Sequence, residues 1–406
     1  MRTLLSNVLI SLIMVSFSQA QVSSRFFGMS DYIHRPKQSN WEPWPSVPFG
    51  HLRSFDTYTE WWKLETSRGV YNWSNLDWLV GLSERHKIDL LYTFAMVPRW
   101  ASSDPNNTGC HLAKFGAYGS CAPPANIRYW DEFVHAVATR YAGRIHYYEL
   151  WNEPNITEYW TGTPAQMVIM AQHAYQIIKS IDPTAKVVSP STLSGYGASW
   201  MGWYLAAGGG HYADVIAFHG YQPQKDVRVA ELIASYVDLY RHQMSLYGQG
   251  TKPLWDTEGG WGRNATLTNP DQQSAYLAKY YILQASKGVA RFYWYAWDSG
   301  DWGTLWDQTT GIHKPGLAYS QVYKWLAGAT ISRRCTSDSK GTWSCTLSRP
   351  GGYEGLIIWN SASTITYLPP PQYNQYRNLY GYKGLINGIQ YFKVGTKPIL
   401  FETNSP

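Results

Sequence analysis

The sequence predicts an α/β fold, a (β/α)8 TIM barrel with a small C-terminal β-sheet module, and three observations carry the prediction. From Phe26 to about Leu326 short strand-like runs alternate with amphipathic helical stretches, the pattern of parallel strands joined by crossover helices. Eight such runs can be counted, which favours a closed barrel over an open doubly wound sheet. No glycine-rich phosphate loop follows any of them, which argues against a nucleotide-binding sheet.

The chain opens on an address. Arg2 supplies a positive start, Leu4 to Phe17 is mainly apolar but too short to span a bilayer, and Ser18-Gln19-Ala20 ends in a small residue. Residues 1–20 therefore read as a signal peptide. No later stretch approaches ~20 uninterrupted apolar residues, so no membrane span is expected. The predicted strands are Phe26–Met29, His51–Phe55, Asp89–Ala95, Ile145–Trp151, Lys186–Ser189, Asp214–His219, Leu254–Glu258 and Arg291–Tyr295. Between them, 126–141, 164–181, 229–247 and 271–287 read as helices. Phe133, Val134, Val137, Ala138 and Tyr141 show the helical spacing of three and four. Pro164, Pro183 and Pro270 fall at helix boundaries, where a missing backbone donor costs nothing. Beyond Ala327 helical periodicity stops. Gly355–Trp359 and Thr364–Leu368 read as strands, with Pro369-Pro370-Pro371 after them. The expected organisation is thus 1–20 signal peptide, 21–329 barrel and 330–406 β-rich module.

Composition narrows the partners. The 406 residues carry 34 Lys+Arg against 28 Asp+Glu, a balance of +6 with no run of five basic residues, so nucleic acid is a poor candidate. Such a length buries a large core without needing metals or disulfides to fold. The unusual figure is 16% aromatic, with 21 Trp and 32 Tyr. Aromatic rings serve cores, interfaces and sugar faces alike.

Four cysteines allow three pairings. Cys110 lies near Cys121 and Cys335 near Cys345, neither with C-x-x-C spacing, so two locally closed disulfide loops in an oxidising compartment are the simplest reading. Zinc binding is the alternative. Asn72, Asn106, Asn155 and Asn264 begin N-x-S/T sequons, which matter only in a host that glycosylates.

The most informative segment is Tyr147-Tyr148-Glu149-Leu150-Trp151-Asn152-Glu153-Pro154. A hydrophobic strand runs into Asn-Glu and is stopped by proline, which places Glu153 at the carboxyl end of the fourth strand, the face where barrels do chemistry. Glu258 ends the seventh strand, in Trp255-Asp256-Thr257-Glu258-Gly259-Gly260-Trp261. Across a barrel mouth two such side chains converge. Paired carboxyls suit glycoside hydrolysis, because one must be protonated to assist the leaving oxygen while the other must be ionised to attack the anomeric carbon. Burial and mutual repulsion create those unlike states.

Asn152-Glu153-Pro154 on a fourth strand with Glu258 ending a seventh resembles the clan A glycoside hydrolases. Trp62-Lys63-Leu64-Glu65, Gly69-Val70-Tyr71-Asn72-Trp73, Leu76-Asp77 and Pro98-Arg99-Trp100 resemble glycoside hydrolase family 39 and its near relatives. The resemblance, over roughly residues 26–326, implies a retaining enzyme with Glu153 as acid/base, Glu258 as nucleophile and Asn152 bonded to the sugar 2-hydroxyl. It further implies that Arg53 keeps the nucleophile ionised, and that His219 and Tyr221 bond the sugar or the nucleophile. Trp297 is the expected stacking floor, with Trp294 the competing choice. Trp100, Trp160, Trp261 and Trp302 are candidate platforms. The chain departs from the family in its short C-terminal module.

The expectation is a secreted or periplasmic, retaining, endo-acting glycoside hydrolase on a polysaccharide or oligosaccharide, a monomer requiring no cofactor or metal. The alternatives are an exo-acting β-glycosidase, a transglycosylase, and a secreted carbohydrate-binding protein on an inactive barrel.

Overall fold

The computed structural model describes residues 21–30, 44–222 and 227–403; the expected signal peptide lies outside them. Eight parallel strands form the barrel: β1 Phe27–Met29, β2 His51–Ser54, β3 Asp89–Thr93, β4 Tyr147–Glu149, β5 Lys186–Val188, β6 Ile216–His219, β7 Leu254–Gly259 and β8 Arg291–Trp294. Each pairs with its sequence neighbour except β5 with β6, and β1 also pairs with β8. The ring closes through the fifth strand. After β5 the chain passes Pro190, which has no N–H for a ladder, and resumes as Thr192–Leu193 beside β6. A parallel bridge from Val188 to Val215 completes the seam.

Helices α1 Trp61–Leu64, α2 Ser74–His86, α3 Ile127–Arg140, α4 Pro164–Ile181, α5 Gly197–Ala206, α6 Leu232–Leu246, α7 Pro270–Ser286 and α8 Lys314–Leu326 surround the strands. Their starts follow local chemistry. Asn126 accepts from the Arg128 N–H, Thr163 and Gln166 form a reciprocal capping box ahead of Pro164, and Asn269 caps the helix that Pro270 opens. The connection from β1 to β2 falls largely on residues that are not described.

The aromatic excess goes mainly into packing. Among the described residues nine tryptophans are fully buried, one of them Trp61, stacked at 4.9 Å on Phe133. Inside the barrel, Leu91, Val188, Val215, Ala217, Trp255 and Tyr293 form an apolar plug. Below it the Arg291 guanidinium lies between Tyr147 and Trp255, 4.1 and 4.2 Å from the ring centres. The barrel is therefore filled, and only its upper end is open to chemistry.

After α8 six antiparallel strands, 330–337, 342–349, 353–360, 399–402, 375–377 and 383–385 in sheet order, build the C-terminal sheet. One face packs on the barrel: the Cys335 N–H donates to Ser286 Oγ, Arg349 donates to the carbonyls of Lys324, Trp325 and Ala327, and Trp359 Nε1 donates to Glu231. The other face is covered by the pair 365–367 and 392–394, over Leu356, Ile358 and Phe401. Cys110 is bonded to Cys121 and Cys335 to Cys345. No described helix is long and apolar enough to cross a membrane.

Candidate active site

The upper ends of β2, β4, β6 and β7 bring seven polar side chains together. Arg53, fully buried on β2, is the hub. Its Nη1 donates to Glu258 Oε2 at 2.6 Å, its Nη2 to Asn152 Oδ1 at 2.8 Å and its Nε to Glu149 Oε2 at 2.8 Å. Thr93 Oγ1 donates to the same Glu149 oxygen. Burial alone would lower the Arg53 pKa; the Glu149 and Glu258 carboxylates reverse that and hold it above its ordinary value.

Glu258 is aimed inward by an irregularity in β7. The register of β7 shifts between Asp256 and Gly259 against both neighbouring strands, and a bulge of this kind re-aims side chains. Two groups grip the carboxyl: Arg53 on Oε2, and the Tyr221 hydroxyl, which donates to Oε1 at 2.9 Å. Burial pushes the Glu258 pKa up to about 7, against the opposing pull of Arg53 and the Tyr221 hydrogen bond.

Glu153 has different surroundings. Its Oε1 is hydrogen-bonded to His219 Nδ1 at 2.8 Å. Burial first and the Glu258 charge second push its pKa well above the carboxylate range. His219 is itself held neutral by burial and by the Arg53 charge, so it shares a hydrogen bond with Glu153 without a counter-charge. The Glu153 backbone adopts φ +46°, a left-handed conformation costing on the order of 1–3 kcal/mol in a non-glycine residue. Its N–H donates to the Ser191 carbonyl at 2.8 Å, which holds it there.

Donor atoms of Glu153, His219 and Glu258 all lie within 4.8 Å of one another. These are the groups that would accommodate a metal ion if one bound. They sit in a cleft of about 850 Å³. Its walls come from the loop after β2 (Asp56, Tyr58, Trp62), the Cys110–Cys121 loop (Leu112, Phe115) and the loops after β7 and β8 (Arg263, Trp302).

The structure brings together Glu153, Glu258, Asn152, Arg53, His219 and Tyr221, and it places five of the six tryptophans named from the sequence outside the cleft lining. Trp297 is buried and stacks on Trp306 beneath the loops, because the chain turns away after β8. Trp261 is buried edge-on to Trp294 with its Nε1 on Asn264. Trp100 packs on Trp61 and Tyr129 and donates to the Glu65 carbonyl. None of the three lines the cleft. Trp160 and Trp294 are likewise buried. Trp302 does line it, 5.9 Å from the Tyr221 ring and under the Arg263 guanidinium.

Sequence reasoning missed Tyr295, Asp56 and Glu149. Tyr295, next in the chain after the buried Trp294, lines the cleft, and its hydroxyl donates to Asp56 Oδ2 at 2.7 Å. Asp56 has φ +60° in the turn after β2, a conformation no periodicity announces. Glu149 did leave a signal: it shares the inward face of β4 with Tyr147, two residues away.

A family model described as the glycosyl hydrolase catalytic core matches residues 70–319, more than half of the chain. No curated protein sequence matches. Among solved structures, a family 39 glycoside hydrolase from the gut symbiont Bacteroides cellulosilyticus WH2 is 17% identical, with 95% of this chain and 82% of that one covered at a TM-score of 0.72. A monomeric β-xylosidase from Caulobacter crescentus CB15 is 16% identical, covering 95% and 97% at 0.63. A family 30 subfamily 8 xylanase from Clostridium acetobutylicum is 16% identical, covering 95% and 97% at 0.59. At such identities the likeness is one of fold.

Proposed function

The chain belongs to the glycosyl hydrolase catalytic core family, and from that premise we propose a secreted, retaining, endo-acting glycoside hydrolase that cleaves a polysaccharide or oligosaccharide by double displacement. One observation carries the reading. Carboxyl oxygens of Glu153 and Glu258 lie within 4.8 Å at the floor of a cleft, near the ~5–5.5 Å of retaining enzymes and short of the ~6.5–9.5 Å that inversion needs for its water.

In the first step protonated Glu153 donates its proton to the glycosidic oxygen, the bond from that oxygen to the anomeric carbon breaks, and a Glu258 oxygen bonds to that carbon. In the second, Glu153, now a carboxylate, takes a proton from water. The water oxygen attacks the anomeric carbon and Glu258 leaves, restoring both groups. Each neighbour has a part. Arg53 and Tyr221 hold Glu258 as the acid that ionises first, His219 keeps Glu153 oriented without adding charge, and Asn152, fixed by Arg53, faces the sugar 2-hydroxyl. Size supports a polymer substrate, since about 850 Å³ lies in the upper range for small-ligand pockets. Two disulfides support an extracytoplasmic compartment. The protein is proposed to act as a monomer.

A panel of defined polysaccharides and aryl glycosides tests this, with products read by mass and by anomeric configuration in NMR. Net retention and internal cleavage are expected. Glu258→Ala is expected to abolish turnover with the fold intact by circular dichroism. Inverted products, or full activity in Glu258→Ala, overturn the mechanism. Release of terminal single sugars overturns endo action, and products longer than the substrate indicate transfer to sugar instead of water.

A further inference from the structure

We propose that the loop closed by Cys110 and Cys121 is a distal sugar subsite, in which the Phe115 ring stacks on a pyranose ring of the glycan away from the bond being cleaved. The inference rests on the hydrolase reading and deepens it, because such a subsite rewards a chain of several sugars.

The loop keeps its small and aliphatic side chains inward. Leu112, Ala113 and Ala117 are buried, and so are both cysteines. Phe115 and Tyr118 are its large apolar side chains turned out, 66% and 38% exposed, and of the two it is Phe115 that lines the same cleft as Glu153 and Glu258. Lone exposed apolar residues are common on protein surfaces. This one sits on a rigid mount. The disulfide closes the loop, and Phe115 N–H donates to the Leu112 carbonyl and Gly116 N–H to that of Ala113.

The mount is also tied to the loop that carries Glu153. The His111 N–H donates to the Glu158 carbonyl at 2.9 Å, and the Thr161 N–H to the Cys121 carbonyl at 2.8 Å. His111 stacks at 4.8 Å on Tyr159, and both line the cleft. The wall thus runs from the loop that carries Glu153 through Tyr159 and His111 to the loop that carries Phe115. An aromatic face at that point matches the apolar C–H face of a pyranose. The Lys114 ammonium, 5.1 Å from the Phe115 ring centre, supplies a donor for the hydroxyls at the ring's rim.

The test compares chain lengths. Wild type, Phe115→Ala, Phe115→Trp and the double variant Cys110→Ser/Cys121→Ser are assayed on two series. The first is nitrophenyl β-glycosides of xylose, glucose, galactose, mannose and arabinose. The second is the matching oligosaccharides of two to six sugars. Phe115→Ala is expected to lower kcat/KM about tenfold on five- and six-sugar substrates, through KM, and to stay within about twofold of wild type on the aryl monoglycosides. Phe115→Trp is expected to keep the long-chain preference, and the cysteine variant to lose part of it. Equal loss on every length, or no change on any, overturns the subsite. A wild type that cleaves aryl glycosides without gain from added sugars also overturns the subsite, while the hydrolase reading stands. A wild type inert on both series overturns the two together.

Discussion

Glu153 and Glu258 are the same side chain in two settings, and the difference is one of neighbours. Glu258 touches Arg53 and the Tyr221 hydroxyl, whereas the hydrogen-bond partner of Glu153 is a histidine held neutral. Both pKa values are raised by burial, that of Glu153 further. Activity on natural glycosides is expected to rise with pH as Glu258 ionises near 7 and to fall again as Glu153 loses its proton. Glu153→Gln removes the alkaline fall on dinitrophenyl glycosides, whose leaving group needs no acid; a pH–rate profile with that limb intact would assign it elsewhere. Stability carries the opposite sign. A carboxyl that keeps its proton in the folded state above its ordinary 4.5 loses stability as pH rises through that window. Glu153→Gln is therefore expected to raise Tm by at least about 2 °C at pH 7, the gain vanishing below pH 4.5, as read by calorimetry.

Among the elements, the junction of β6 and β7 sets the site. Asp256 Oδ1 accepts from the Gly220 N–H and Oδ2 from the Tyr280 hydroxyl, pinning the segment between His219 and Tyr221. A Cβ on Gly220 would stand 2.0 Å from the Tyr280 oxygen and 2.5 Å from Asp256 Oδ2. Gly220→Ala is expected to cost about 1–3 kcal/mol of stability and to lower kcat more than a hundredfold, because the shift moves Tyr221 and His219 together. Equilibrium unfolding and steady-state rates on one preparation check it, and a variant with wild-type kcat would show that this junction does not position them. Such a close approach has no signature in a single chain. A glycine after a histidine reads as an ordinary turn until Tyr280, sixty residues later, is known to lie above it.

For the whole molecule, barrel and C-terminal sheet share one core. Trp359, on the sheet, donates to Glu231, which also receives the buried Lys279 ammonium from α7. Urea unfolding is expected to be a single transition by both fluorescence and far-ultraviolet dichroism. Trp359→Ala should cost about 3–5 kcal/mol, leave a buried ion pair short of a donor, and keep the transition single. Two separated transitions would mean that the sheet folds independently.

The pattern of short apolar runs and helical spacings determined the barrel, because parallel strands and amphipathic helices are local periodicities. The Asn-Glu-Pro segment and Glu258 were legible for a similar reason: each is a polar interruption at the end of an apolar strand. Which aromatics face a sugar was decided only by tertiary structure. Trp297, Trp261 and Trp100 are swallowed by packing, while Tyr295 and Trp302 reach the cleft. A tryptophan satisfies a core and a sugar with the same ring, so its role depends on which way its loop turns. The unlike surroundings of the two acids were settled at the same level, by an arginine from β2, a histidine ending β6 and a tyrosine just after it that reach them only once the barrel has closed.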